Sequence, residues 1–152
     1  MRLALFAVVA GLAGCAGNSL ANFVQPKISL AGVTVKGLGF TGGSLDALLT
    51  VNNPNTFDIR GTKMDLDLDI GGAKFGPLHL DQVFSLPQGV NTPVTVPVIF
   101  KWTDVGSAAR SVLGYGSAPY TLSGKIYVTT PGGDQGVPFS QQGTVTISQL
   151  RP

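Results

Sequence analysis

Between Lys63 and Ile70 the chain alternates without a miss. Met64, Leu66, Leu68 and Ile70 fall on one side, and Lys63, Asp65, Asp67 and Asp69 on the other. Period two is the spacing of an extended strand with one dry and one wet face. Gly71-Gly72 then stops it. The same rhythm recurs at Leu45, Ala47, Leu49 and Val51, and ends at Asn52-Asn53-Pro54-Asn55, a run of turn-forming residues. Further extended stretches are read from Val33 to Phe40, Leu78 to Leu86, Pro93 to Phe100, Tyr120 to Val128 and Val137 to Leu150. Ala73 to Gly76 reads as a short hairpin return. Pro97 has no amide to donate, so its strand is expected at a sheet edge or at a bulge.

Glycine (21 residues) and proline (10 residues) interrupt the chain too often for long helices. One stretch has helical spacing, near 104–113. Val105, Ala108, Ala109, Val112 and Leu113 share one face. Thr103 or Asp104 would cap its start, and Gly114 or Gly116 would end it. Strands joined by short turns, without repeated crossover helices, predict an all-β fold. The expected form is an antiparallel immunoglobulin- or fibronectin-like β-sandwich of about seven strands, with this one short helix.

The N-terminal end carries a different signal. Arg2 precedes an apolar run from Leu3 to Leu12, followed by Ala13-Gly14-Cys15. A charge, an apolar run and small residues, in that order, make a secretory leader. The run is too short to cross a bilayer, which takes about 20 residues. Leu12-Ala13-Gly14-Cys15 resembles the lipobox of bacterial lipoproteins. The resemblance implies diacylglycerol on the Cys15 thiol, cleavage between Gly14 and Cys15, and acylation of the new amine. Cys15 is the single cysteine, so no disulfide partner competes for it. Two or three acyl chains hold a protein at a membrane where one is marginal. Ala16 follows the cysteine, where an Asp would favour inner-membrane retention in enteric-type cells. The expected location is therefore the periplasmic face of the outer membrane. The division expected is a leader over 1–14, a lipidated cysteine with a flexible tether over 15–26, and one domain over 27–150. Fully stretched, Ala16 to Gln25 spans roughly 33 Å.

Charge excludes some functions. There is no glutamate, charged residues make up 12% of the chain, and the formal net charge is +2 with the basic residues scattered. Nucleic acid binding needs a phosphate-neutralising patch, and none is visible.

The order of segments resembles the group 2 late embryogenesis abundant domain, also called the water stress and hypersensitive response domain. The residues that carry this are Lys27 to Val35, then Leu49-Thr50-Val51-Asn52 with Asn53-Pro54-Asn55 and Phe57-Asp58-Ile59, then Val94 to Leu113 and Pro119 to Gly124. The family's recurring mark is the Asn-Pro-Asn turn after a strand. The resemblance covers about Lys27 to Leu150. It implies a β-sandwich with a short helix, a link to desiccation and other stresses, and no catalytic residues.

Other constellations are read conservatively. Asp65-x-Asp67-x-Asp69 matches the start of a calcium loop. That loop needs Gly at its sixth position and Glu at its twelfth; Ile70 and Gly76 stand there. A solvated strand face is expected, and no metal or cofactor. His79 is the single histidine, and no Gly-x-Ser-x-Gly elbow accompanies it, so no enzyme is expected. Trp102, Tyr115 and Tyr120 are expected to anchor the helix, with a ligand groove as the other reading. Three functions stay open: a stress-protective or binding module tethered to the membrane by lipid on Cys15, a binder or carrier of lipid or another apolar ligand, and a structural subunit of an envelope complex.

Overall fold

A computed structural model describes residues 23–106 and 108–149. The leader, Gly14 and Cys15 lie outside the described residues. The alternating segments become β1 (Lys27–Leu38), β2 (Gly42–Asn52), β3 (Ile59–Ile70), β4 (Ala73–Lys74), β5 (Leu78–Leu80), β6 (Phe84–Leu86), β7 (Asn91–Lys101), β8 (Ser117–Thr130) and β9 (Gly133–Gln149). Two short helices, α1 (Trp102–Val105) and α2 (Ala109–Leu113), stand between β7 and β8.

The fold is all-β, and the strands join in one nine-stranded sheet of order β4-β3-β8-β9-β1-β2-β7, with β5 and β6 also paired to β3. Pairing is antiparallel except between β1 and β9, where Val33, Thr34 and Val35 run parallel to Ile147, Ser148 and Gln149. That departs from the purely antiparallel expectation. Parallel neighbours need a long connection between them, and these two lie near opposite ends of the described chain. The sheet is open and curled. Phe75, just past β4, meets Phe100 of β7 edge to face at 5.2 Å, so the two ends of the strand order come together.

Alternation explains which faces turn inward. Met64, Leu66, Leu68 and Ile70 are buried, as are Leu45, Ala47, Leu49 and Val51. They share one core with Leu122, Ile126 and Val128 of β8. Each large aliphatic side chain so buried contributes about 1.5–3 kcal/mol before entropy is counted. The turn from β3 to β4 is made by Gly71 and Gly72 at φ 57° and 88°. Two successive positive φ values suit a tight hairpin whose twist matches its strands.

Two expectations need correction. The helix near 104–113 is not continuous. Gly106 sits at φ 90° and ψ 167°, outside helical space, and α2 starts afresh at Ala109. Thr103 and Asp104 lie inside α1 and do not cap it; no side chain caps either helix. Val105, Ala109, Val112 and Leu113 are still buried, while Ala108 is exposed. Packing thus satisfies the apolar spacing with two pieces, and three turns on so short a stretch have little intrinsic stability. Second, Leu78 to Leu86 is two strands, β5 and β6, that pair with different parts of β3. Pro97 does lie in an edge strand, since β7 ends the strand order.

The strand registers define two ends of the molecule. Lys27, Asn52 and Asn91 pair across β1, β2 and β7 at one end. The β1–β2 turn lies at the other end with Lys101, which pairs with Gly42.

Candidate functional site

At the first end, the Asn53-Pro54-Asn55 turn that leaves β2 folds into a buried polar knot. Asn53 is fully buried and Asn55 is 4% exposed. Turn-forming residues normally lie outside, so each inward polar atom needs a partner. Asn53 has one for every hydrogen-bonding position. Its Nδ2 donates to the Phe57 carbonyl (2.9 Å) and the Leu86 carbonyl (2.8 Å). Its Oδ1 accepts from the Asn55 backbone N–H (3.0 Å) and from Asn55 Nδ2 (2.9 Å). Two donors and two lone pairs are the full capacity of a side-chain amide. Its main chain is tied as well: the Gly89 N–H donates to the Asn53 carbonyl (2.8 Å), and the Asn53 N–H donates to the Val90 carbonyl (3.3 Å).

Asn55 extends the knot to another part of the chain. The Val24 N–H donates to Asn55 Oδ1 (2.7 Å), and Asn55 Nδ2 donates to the Val24 carbonyl (2.7 Å). A side-chain amide has the donor and acceptor of a peptide group, so Asn55 pairs with Val24 as a neighbouring strand would. Pro54 is exposed and cannot donate, and its ring holds φ near −65°. The turn therefore ties the end of β2 to β6, to the 89–90 loop and to the residues preceding β1. Of the stretch 15–26 read as a tether, the described part, 23–26, is docked rather than loose: Val24 is pinned, Phe23 packs against the core, and Pro26 is buried.

The other sequence candidates do not gather into a site. Asp65, Asp67 and Asp69 point away from the core, as the alternation requires. Two of them are individually occupied. Asp65 Oδ1 takes His79 Nδ1 at 2.7 Å, with Lys63 3.7 Å from its other oxygen. Asp69 Oδ1 accepts from the Gly72 N–H at 2.9 Å. The His79 hydrogen bond holds the Asp65 carboxyl below its usual range. Among the described residues, no three His, Cys, Asp or Glu side chains cluster to hold a metal, and no helix is long and apolar enough to cross a membrane.

The aromatics are split. Tyr120 is buried and its hydroxyl accepts from the Leu30 N–H at 3.4 Å, while Tyr115 is exposed. Both border an open groove of about 710 Å³ beside α2 and the start of β8. Trp102 lies elsewhere, edge to face with Phe100 at 5.2 Å. It borders a second open groove, of about 380 Å³, with Leu38, Phe40 and Arg110. Sequence reading missed Phe40, because an apolar residue after a strand looks like one more core position. It also missed the Val24 partner of Asn55, because pairings 31 residues apart carry no local signal.

Three comparisons place the chain among known proteins. No curated protein matches it. Among solved structures, a solution structure from Arabidopsis thaliana aligns at a TM-score of 0.56 with 19% identity, over 85% of this chain and 86% of that one. A crystal structure of an Archaeoglobus fulgidus protein covers 84% of this chain and 98% of that one, with 11% identity and a TM-score of 0.47. A solution structure assigned to the late embryogenesis abundant (LEA) group covers 87% of this chain and 76% of that one, with 22% identity and a TM-score of 0.46. The first supports the fold alone. The late embryogenesis abundant protein family itself matches residues 48–143, a span that contains the Asn-Pro-Asn turn, strands β3 to β8 and both helices. The chain therefore belongs to the late embryogenesis abundant protein family.

Proposed function

We propose that this protein is a non-enzymatic envelope lipoprotein whose LEA domain protects or binds a partner under water stress, held to the periplasmic face of the outer membrane by lipid on Cys15. Family membership supports the stress-related role. The anchoring rests on the sequence Leu12-Ala13-Gly14-Cys15. The observation that favours a purpose for that anchor is the Asn55–Val24 clamp, which grips the chain eight residues after Ala16. A load applied through the N-terminal segment would reach the sheet through this clamp. Tethering raises the domain's local concentration near its partner. We also read the two halves of the curled sheet, β1-β2-β7 and β3-β8-β9, as the layers of an immunoglobulin- or fibronectin-like sandwich. Their inward residues share a single core, which supports that reading.

Intact-mass analysis of protein extracted from membranes tests the anchor: a chain starting at Cys15 with added acyl mass is expected, and an unmodified thiol would sink it. Deleting the gene and drying the cells tests the role. Unchanged survival under dehydration, osmotic and envelope stress would count against it. Binding or transfer of an apolar ligand is a second reading, favoured by the groove of about 710 Å³ between α2 and β8. Native mass spectrometry showing no retained lipid would remove it. A structural role in an envelope complex would show as a stoichiometric partner in membrane pull-downs.

A further inference from the structure

The β1–β2 turn holds an apolar residue where folding gains nothing from it. Phe40 is 100% exposed and Leu38, two residues earlier, is 50% exposed. The turn beneath them is firmly built. The Gly39 N–H donates to the Gly42 carbonyl (2.8 Å), the Trp102 backbone N–H donates to the Thr41 carbonyl (3.1 Å), and Trp102 Nε1 donates to the Gly39 carbonyl (2.8 Å). Trp102 is braced in turn by Phe100 behind it and by the Arg110 guanidinium 4.4 Å from its ring centroid. The turn is therefore a braced finger with an exposed aromatic tip, held by the indole and by both strands around it.

We propose that this finger inserts into an anionic lipid bilayer, with Phe40 and Leu38 entering the interfacial region and Lys101 and Arg110 meeting lipid phosphates. The groove of about 380 Å³ at the finger's side is open, and the Phe40 ring on its border stays 100% exposed; a bilayer can close around a ring so exposed, whereas a ligand seated in the groove would leave it in water. Aromatic residues favour the membrane interface, and cations beside them attract anionic headgroups. Lys101 and Arg110 are exposed around the finger, against the single carboxylate of Asp104 on α1; Lys36 nearby is spent on Asp46 at 3.3 Å. The finger is separate from the Cys15 anchor. It lies at the opposite end of β1 from Lys27, about 36 Å away at 3.3 Å per residue, and its contact is read whether or not Cys15 carries lipid.

The chain supplies its own probe, since Trp102 is the single tryptophan and sits behind the tip. The full chain is mixed with phosphatidylglycerol vesicles whose acyl chains carry bromine, and Trp102 emission is compared with that in unbrominated vesicles. Quenching is expected for the wild type, weaker in phosphatidylcholine and weaker with added salt. Phe40→Ser is expected to weaken the contact about tenfold or more, with circular dichroism unchanged because the side chain touches nothing it supports. Lys101→Gln is expected to reduce the preference for phosphatidylglycerol. An unquenched wild type, or equal quenching in Phe40→Ser, overturns the proposal. Equal quenching by neutral and anionic vesicles overturns the anionic assignment. Self-association without vesicles that Phe40→Ser abolishes would give the finger to a second copy of the chain instead.

Discussion

Asn55 holds Val24 by both of its main-chain groups, each at 2.7 Å, across 31 residues of sequence. One side chain thus does the work of a strand neighbour, and it does so at the point where the N-terminal segment meets the sheet. Asn55 is itself positioned by Asn53, whose Oδ1 accepts from both the Asn55 main chain and its side chain. The two asparagines therefore act in series: Asn53 fixes the turn, and Asn55 fixes the incoming chain.

Asn55→Ala should release that chain without unfolding the sheet. Two main-chain groups of Val24 lose their partners, but Val24 is 52% exposed and water can replace them. A loss of about 1–2 kcal/mol is expected. Amide hydrogen exchange at Val24 should accelerate while β3 and β8 amides keep their protection. Unchanged Val24 exchange would show that something else pins this segment.

Asn53→Ala should cost more, about 3 kcal/mol. It leaves the Phe57 and Leu86 carbonyls without donors in a fully buried place, where water cannot compensate. Asn53→Asp should be at least as damaging, because a carboxylate supplies no donor and adds a buried charge. Urea unfolding of the two variants checks both. If Asn53→Asp were the milder change, the donor role assigned to Nδ2 would be wrong.

Gly71→Ala should destabilise by about 1–3 kcal/mol. The position has φ 57°, and an added Cβ would lie 2.8 Å from Val112 Cγ2. Gly72→Ala has a φ of 88° but meets nothing within 4 Å, so it should be the milder of the pair. Thermal melts of both variants separate backbone strain from the clash with α2.

The Asp65–His79 pair predicts a small effect confined to acid. The His79 hydrogen bond, chiefly, lowers the Asp65 pKa from 3.8, so the unfolded chain binds that proton more readily than the folded one. The stabilisation is fully present above about pH 4 and is lost as pH falls through the lowered pKa. His79→Ala should move the Asp65 titration back toward 3.8 in a carbon-detected NMR experiment. Its destabilisation relative to wild type should shrink as pH falls through the lowered pKa. An Asp65 titration that does not move would reassign the shift to Lys63, 3.7 Å away.

Much of the sheet was legible because each strand writes its own burial pattern. Lys63 to Ile70 and Leu45 to Val51 needed no partner to declare which face is dry. The helix was misjudged for the converse reason. Its apolar spacing was right at Val105, Ala109, Val112 and Leu113, but spacing does not say whether the main chain stays helical through Gly106. The Asn-Pro-Asn turn is legible as a motif, with its chemistry hidden, because its partners at Val24 and at Leu86 and Val90 come from two stretches of the chain, each about 30 residues or more away.

By itself, the sequence determined the all-β class, the dry faces of the strands, the restriction of Pro97 to an edge or a bulge, and the turn at Gly71-Gly72. These follow from side-chain period and from the main-chain limits of proline and glycine, which act over a few residues. Only the tertiary structure decided that β1 and β9 run parallel, that the sheet curls until Phe75 meets Phe100, that Asn55 clamps Val24, and that Phe40 faces outward on a braced finger. Each of these depends on which distant residues come to lie side by side. That choice is made by the packing of the whole core and leaves no periodic trace along the chain.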